Sequence, residues 1–405
     1  YMICMQINKK NFSYMEGTMK NFVFHIPTKI VFGKNTQEQV GKELAGLGKN
    51  VLILYGSDRI HNTGFLGQIE ANIEKEGIHH VAMGGVRENP SLEFVARAIQ
   101  FAKEQQVDAI LAIGGGSVID TAKSVSMGIK TDHSVWDFFE GKEEPEEAVP
   151  VGVILTMAAT ASEANPVAVL TNEQLKRKNA YAHPLLYPAF ALLNPELTYT
   201  VPKRQTAIGA IDIFAHAFER YFHLEQQGTL RNKLCVAVMT TIMDELPKVL
   251  ELPDNYDGRS QIMWAATMAH SDMIGTEGVF ACHEMSHVLT EIFGMAHGEA
   301  LAVLMPAWCR YMIPKQTAYV AAFARNIWGV DAYLDDLSAA AEGVRRFENF
   351  MQACGLPVSM QEAGITEFNS YSLAEILLEG REYVGEAFEP VYLKDAAAIF
   401  ELCRG

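Results

Sequence analysis

One stretch limits the folds open to this chain more than any other. The apolar run Asp108-Ala-Ile-Leu-Ala-Ile113 passes straight into Gly114-Gly-Gly-Ser-Val-Ile-Asp120 and then into a segment of helical period. A short apolar run ending in glycine reads as a strand buried on both faces. A helix starting directly behind it makes the first part of a parallel βαβ unit. VLILYG at 51–56 and HHVAMGG at 79–85 are two further runs of this kind, each followed by a segment with a 3.6-residue period. After an acidic surface loop, GKEEPEEAVP, the run VPVGVILTMA returns as a strand. The crossovers should be right-handed, with helices on both faces of the sheet. From about residue 202 the signals turn helical, as in TAIGAIDIFAHAFERYF and LCVAVMTTIMDELPKVL. The expected fold is an α/β, Rossmann-like unit with a parallel sheet over residues 19–198, then an all-α unit over 199–405.

Residues 1–18 lack the apolar length and cleavage site of a signal peptide and stand apart as an N-terminal extension. A net charge of −16 disfavours nucleic-acid and anionic-membrane partners. No apolar run reaches the length of a bilayer span. Six scattered cysteines without a CxxC pair suit a reduced, cytoplasmic protein.

Gly115 and Gly116 let backbone approach a bulky group closely, and the helix behind them offers N–H groups and a positive dipole end to a pyrophosphate. Ser117 and Asp120 also have the spacing of a capping pair. Three glycines exceed what a cap requires, so phosphate binding is the stronger reading, although the pattern is not G-x-G-x-x-G. Tyr55-Gly-Ser-Asp-Arg59 ends the first strand, where an adenosine ribose would lie. Ser57 and Arg59 there favour NADP over NAD, and Asp58 pulls the other way. Thr156, Thr160, Ser162 and Asn165 cluster behind another strand, which suits a ligand crevice or a tight loop equally well.

The helical half carries His283-Glu-Met-Ser-His287 and His297, three of the chain's 12 histidines. His283 and His287 share a helix face, and a turn at Gly294 can return His297 towards them. Asp212 and His216 have the same spacing upstream. Ile208, Ile211, Phe214 and Phe218 make that segment's face apolar, where a carboxylate is costly unless paired or bound to a cation. One Asp with two or three His suits a divalent first-row metal, and Fe²⁺, Zn²⁺, Ni²⁺ and Co²⁺ are all acceptable. The same letters fit H-E-x-x-H, the zinc-peptidase helix with Glu284 as general base. A third ligand at the metzincin spacing would fall near Phe293, which cannot bind zinc. A peptidase also leaves the glycine turn without a role. A non-catalytic metal- or nucleotide-binding protein is the remaining alternative.

Taken together, GGGSVID (114–120), TMAATASEAN (156–165), LNPELTYTVP (193–202), GAIDIFAHAFE (209–219) and HEMSHVLTEIFGMAHGEALAVLMP (283–306) resemble the iron-containing (group III) alcohol dehydrogenases, in particular their NADPH-dependent butanol dehydrogenase and aldehyde reductase branch. The resemblance runs from about Met19 into the C-terminal region. It implies a nucleotide-binding α/β domain, a helical metal-binding domain, and a cleft between them. It also implies hydride transfer between NAD(P)(H), with NADP(H) favoured, and a primary aliphatic alcohol or aldehyde, and a homodimer is the expected assembly. It implies that Asp212, His216, His283 and His297 hold one divalent metal, most simply Fe²⁺. His287 matches a histidine beside the nicotinamide, able to relay the alcohol proton. Gly115, Gly116, Ser117 and Asp120 match the diphosphate turn. Thr156, Thr160, Asn165, Lys178 and Tyr199 match residues around the ribose and nicotinamide. Ala158 and Ala161 stand where related chains often carry Pro and Gly, and YGSDR replaces a more glycine-rich loop.

Overall fold

The computed structural model describes residues 23–175, 177–223, 229–275, 278–385 and 388–405; the expectation for residues 1–18 lies outside them. The chain divides into two compact units, one running to Tyr199 and the other from Thr200 to Gly405.

The first unit contains strands β1 (Lys29–Phe32), β2 (Asn50–Tyr55), β3 (His79–Met83), β4 (Ala109–Gly114), β5 (Val151–Leu155), β6 (Val167–Asn172), β7 (Arg177–Ala182) and β8 (Phe190–Leu193). Its helices are α1 (Val40–Leu44), α2 (Arg59–Asn62), α3 (Phe65–Glu74), α4 (Leu92–Glu104), α5 (Gly116–Gly128) and α6 (Val135–Phe139). Six strands form one sheet in the order β1-β8-β5-β4-β2-β3, and every pairing in it is parallel. The apolar runs take the middle: β4, β5 and β8 are buried at every residue. The edge strands β1 and β3 have half-buried and exposed positions and none fully buried. Val51, Ile53, Leu111, Ile113 and Leu192 pack on one face against Val40 and Leu44 of α1 and Ile69 and Ile73 of α3. Helix α4 starts where Ser91 accepts from the amide of Phe94, the side-chain cap its sequence calls for.

Two features depart from the sequence reading. β8, Phe-Ala-Leu-Leu, is a full member of the sheet, and β6 with β7 forms a separate antiparallel hairpin. Neither has the length or pattern to stand out in sequence, because each is stabilised by its neighbours.

The second unit is built from α7 (Lys203–Tyr221), α8 (Leu230–Glu251), α9 (Tyr256–Ala269), α10 (Ala281–Phe293), α11 (His297–Trp328), α12 (Asp336–Ala353), α13 (Ser370–Leu378) and α14 (Leu393–Leu402). Among the described residues it departs from all-α only in a two-residue antiparallel pair, β9 (Tyr383–Val384) with β10 (Val391–Tyr392). Helix α7 is buried continuously from Thr206 to Tyr221, so it lies in the core, not on its surface. Phe218 meets the ring of Phe323 edge-on at 5.3 Å, and Phe222 meets Trp308 at 4.9 Å. Helix α11 carries Pro306 and Pro314 and loses helical geometry at Gln316, two residues beyond the second proline. Among the described residues no helix is long and apolar enough to cross a membrane.

Candidate functional site

In the helical unit, α7 presents Asp212 and His216 one turn apart, and α10 presents His283 in its first turn. Gly294 ends α10 in the left-handed conformation, φ 69°, so the chain turns back and α11 opens with His297. The ring nitrogens converge on one atom. Asp212 Oδ1 lies 3.6 Å from His216 Nε2, 3.5 Å from His283 Nε2 and 3.4 Å from His297 Nε2. Asp212, His216 and His283 are buried. Asp212 Oδ1 and His283 Nε2 nevertheless have no hydrogen-bond partner. Orphaned polar atoms of this kind are rare and costly. Donors at about 2.1 Å from a tetrahedral divalent cation stand about 3.4 Å from one another, so the spacing fits an ion shared by these groups.

The electrostatics follow from the crowding. Burial works against the Asp212 carboxylate, yet the imidazoles of His216 and His297 hold its pKa well below the usual range. Burial, with His270 and His283 alongside, pushes His216 well down. His283 is the exception: burial opposes its charge, but Glu219 and Asp212 lift it to about 9.

Two of the ligand candidates, His283 and His216, are braced by neighbouring side chains. Glu219 on α7 is fully buried and accepts from His283 Nδ1. It also accepts from the backbone amides of Cys282, at 2.7 Å, and His283, at 3.2 Å. A carboxylate behind an imidazole holds the Nδ1 hydrogen, so Nε2 is the nitrogen a metal would take by displacing its proton. The His216 ring is sandwiched between His270, at 4.0 Å, and His283, at 4.3 Å. Arg220 donates to the carbonyl of Gly275 and contacts His270 Nδ1, tethering the segment before α10. Sequence reading missed Glu219, His270 and Arg220. Glu219 stood inside a recognised motif, but nothing local marks which distant donor it serves.

Asp212, His283 and His297 form the tight cluster, their ligand atoms all within 4.8 Å of one another. His216, expected with them, lies outside it although its Nε2 is 3.6 Å from Asp212 Oδ1. His287 is also outside, its ring 5.7 Å from that of His297. Glu284 points elsewhere and pairs with Arg381. The H-E-x-x-H reading therefore fails here. Its second histidine is outside the group, and its general base is held in an ion pair.

The other site residues lie in the first unit. Strands β2 and β3 run to one side of the sheet, and the chain then crosses to β4 on the other side of β2. The C-terminal ends of the strands at such a reversal are the usual ligand position in sheets of this kind. Ser57 and Arg59 follow β2 and are exposed. Gly115, Gly116 and Ser117 follow β4, and Thr156 follows β5, its amide bonded to Gly114 O at 3.0 Å.

Helix α5 takes Gly115 as its N-cap, with no side chain to close the end. The first amides of a helix have no partner within it, and an end without a side-chain cap suits a phosphate. This corrects the capping-pair reading of Ser117 and Asp120. Because the helix begins at Gly116, Ser117 is already inside its first turn, and Asp120 is buried. The Asp120 carboxylate accepts from Ser162 Oγ at 2.6 Å and from the amide of Val169 at 3.2 Å. Burial raises its pKa, with Lys123 opposing. Lys123 is itself fully buried and donates to Ser162 Oγ, Asn165 O, Asn165 Oδ1 and Val167 O. Burial lowers it to about 8.

The loop TMAATASEAN is thus a tight loop in its second half. Asn165 serves Lys123 and donates to Thr160 O at 3.3 Å. Thr160 Oγ1 accepts from the amide of Ser162. Ala161 adopts φ 49°, a left-handed conformation that costs a residue with a Cβ about 1–2 kcal/mol. Lys178 on β7 donates to Asn89 Oδ1 at 2.8 Å. Tyr199 follows a short 3₁₀ turn, its amide bonded to Glu196 O.

Comparison with known proteins adds independent findings. A family model described as iron-containing alcohol dehydrogenase matches residues 27–195. A second, described as the C-terminal part of the Fe-containing alcohol dehydrogenase family, matches 206–401. The chain is 35% identical over 385 residues to a probable NADH-dependent butanol dehydrogenase 2 of Bacillus subtilis, covering 94% of this chain and 99% of that one. It is 32% identical to the NADPH-dependent aldehyde reductase YqhD of Escherichia coli, covering 95% and 100%. The crystal structure of an NADH-dependent butanol dehydrogenase A from Thermotoga maritima superposes with a TM-score of 0.90 at 34% identity, covering 96% and 100%.

Proposed function

The chain belongs to the iron-containing alcohol dehydrogenase family, and from that premise we propose how its own residues divide the work. It is an NAD(P)-dependent oxidoreductase that moves a hydride between a nicotinamide cofactor and an alcohol or aldehyde. In the proposed reading the substrate is a short primary aliphatic alcohol or aldehyde, butanol-like. Asp212, His216, His283 and His297 hold one divalent metal, Fe²⁺ by preference, with Zn²⁺ or Ni²⁺ also suiting three imidazoles and a carboxylate. The observation that carries this is Asp212 Oδ1, buried without a hydrogen-bond partner at 3.4–3.6 Å from the Nε2 atoms of His216, His283 and His297.

A metal held there supplies Lewis acidity towards the substrate oxygen. The chain does the rest. Glu219 holds the Nδ1 hydrogen of His283, so Nε2 is the nitrogen turned to the metal. The uncapped start of α5 with Gly115, Gly116 and Ser117 receives the diphosphate. Asp120, Asn165 and Lys123 act behind it by holding the 160–167 segment in place. Thr156, Thr160, Lys178 and Tyr199 are assigned to the ribose and nicotinamide. Exposed Ser57 and Arg59 favour NADPH over NADH by offering a hydroxyl and a cation to a 2′-phosphate. The names of the relatives divide between the two cofactors. The free, buried thiols of the described residues suit a reducing cytoplasm. The family resemblance supports a homodimer, which light scattering checks.

Steady-state reduction of butyraldehyde with NADPH and NADH side by side tests the reading. Chelator-sensitive turnover with a higher kcat/KM for NADPH is expected. Full activity in chelator-stripped protein would remove the metal from the mechanism, and a clear preference for NADH would remove the role of Arg59.

His287 is assigned a proton-relay role beside the metal group. His287→Ala should keep stoichiometric metal while losing rate. Elemental analysis of the purified variant decides: metal lost in step with activity would make His287 a ligand.

A further inference from the structure

Ser286 lies on α10 between His283 and His287, fully buried, and makes two contacts. Its hydroxyl donates to the carbonyl of His283 at 2.7 Å, the back-bond a serine makes within a helix. The same oxygen lies 3.0 Å from Nδ1 of His297, on the far side of the Gly294 turn. A serine hydroxyl has one hydrogen and two lone pairs. With the hydrogen committed to the carbonyl, the oxygen faces His297 as an acceptor, so His297 Nδ1 must carry the ring's hydrogen. Nε2 is then left as a bare lone pair, and it is Nε2 that faces Asp212 Oδ1.

We propose that Ser286 is a positioning residue for the metal. It sets the tautomer and ring angle of His297, and it ties that ring to the backbone of His283. One hydroxyl thereby holds two candidate ligands, from two helices, in register. The geometry parallels that of Glu219 behind His283, but uses a neutral group. Neither contact was visible from the H-E-x-x-H spelling, in which Ser286 is an unspecified position. The proposal rests on the metal reading above, and its test separates the two.

The full-length protein, loaded with Co²⁺, is challenged with increasing chelator, and the apparent metal dissociation constant is read for four proteins: wild type, Ser286→Ala, Ser286→Thr and His297→Ala. Loss of a partner behind a metal-binding histidine typically weakens affinity by roughly 10–100-fold. Ser286→Ala should fall in that range, and Ser286→Thr, which keeps the hydroxyl, should recover most of it. His297→Ala should lose more than either. If Ser286→Ala holds Co²⁺ as tightly as wild type while His297→Ala loses it, the role of Ser286 is overturned and the metal site stands. A loss in Ser286→Ala that Ser286→Thr does not restore also overturns it. If His297→Ala retains Co²⁺ at wild-type affinity, the ligand set itself falls, and Ser286 with it. Thermal unfolding of each metal-free protein accompanies the series, so that a general loss of fold is read separately from a loss of metal.

Discussion

His283→Ala yields a protein without stoichiometric metal and without measurable turnover. The expected loss exceeds the roughly 10–100-fold of a missing partner behind a ligand, because a ligand itself is gone. His283 joins two systems. Its Nε2 faces Asp212 Oδ1 at 3.5 Å, and its Nδ1 is bound to the fully buried Glu219. Alanine removes both contacts and leaves Glu219 with only the two backbone amides as donors. A buried carboxylate stripped of a partner costs on the order of 3–5 kcal/mol. The variant should therefore also unfold earlier in denaturant, a loss confined to the helical unit. Elemental analysis, turnover and a denaturant curve on one preparation suffice. Turnover at the wild-type level with metal absent would overturn the site.

The second large effect lies at the glycine turn. Gly116→Val should weaken NAD(P)H binding by roughly 10–100-fold, the equivalent of about 1.5–3 kcal/mol for one hydrogen bond to a charged group, with metal content unchanged. The structure shows why this variant needs a companion. A Cβ at Gly116 would fall 2.5 Å from Thr160 Oγ1 and 3.0 Å from Thr160 Cγ2. The glycine is thus required by the 156–165 loop as well as by a phosphate. Gly116→Ala combined with Thr160→Gly clears that collision. Because Thr160 is itself assigned to the cofactor, Thr160→Gly alone is the reference: a pair that binds more weakly than that single variant assigns Gly116 to the cofactor, whereas a pair equal to it assigns the glycine to the loop. Fluorescence titration with NADPH reads both.

Much of the first unit was legible because burial on both faces writes itself as unbroken apolar runs, as in Val51–Leu54, Ala109–Ile113 and Val151–Leu155. β8 and the β6–β7 hairpin were not, since four residues of Phe-Ala-Leu-Leu, or Arg-Lys-Asn-Ala-Tyr-Ala with its mixed face, acquire meaning only from their partners. In the helical unit Asp212 stood out because a carboxylate on an apolar face needs an explanation. The distinction between His283 and His287 was not available from spacing, since both lie on one face of α10. It depends on where α7 and the start of α11 come to rest. Glu219 and Ser286 were silent for the same reason: each is ordinary in its own helix and acts on a residue brought to it by the fold. Lys123 belongs with them, an apparently solvent-seeking side chain whose four acceptors all lie at Ser162, Asn165 and Val167.

The strand order also dictates when the α/β unit can be finished during synthesis. Among the described residues β1 is the first strand of the sheet to emerge, yet its neighbour there is β8, with Lys29 opposite Phe190. Until β8 arrives, β1 has no place to dock, and β5, buried on both faces in the finished sheet, borders an empty slot. Pairings so distant along the chain close slowly, and an apolar strand with an open edge is a template for another chain. A ribosome translating this message therefore carries an adhesive, half-built sheet through most of the unit's length. The last short strand, Phe190–Leu193, seals it by filling the gap between the oldest strand and the central ones.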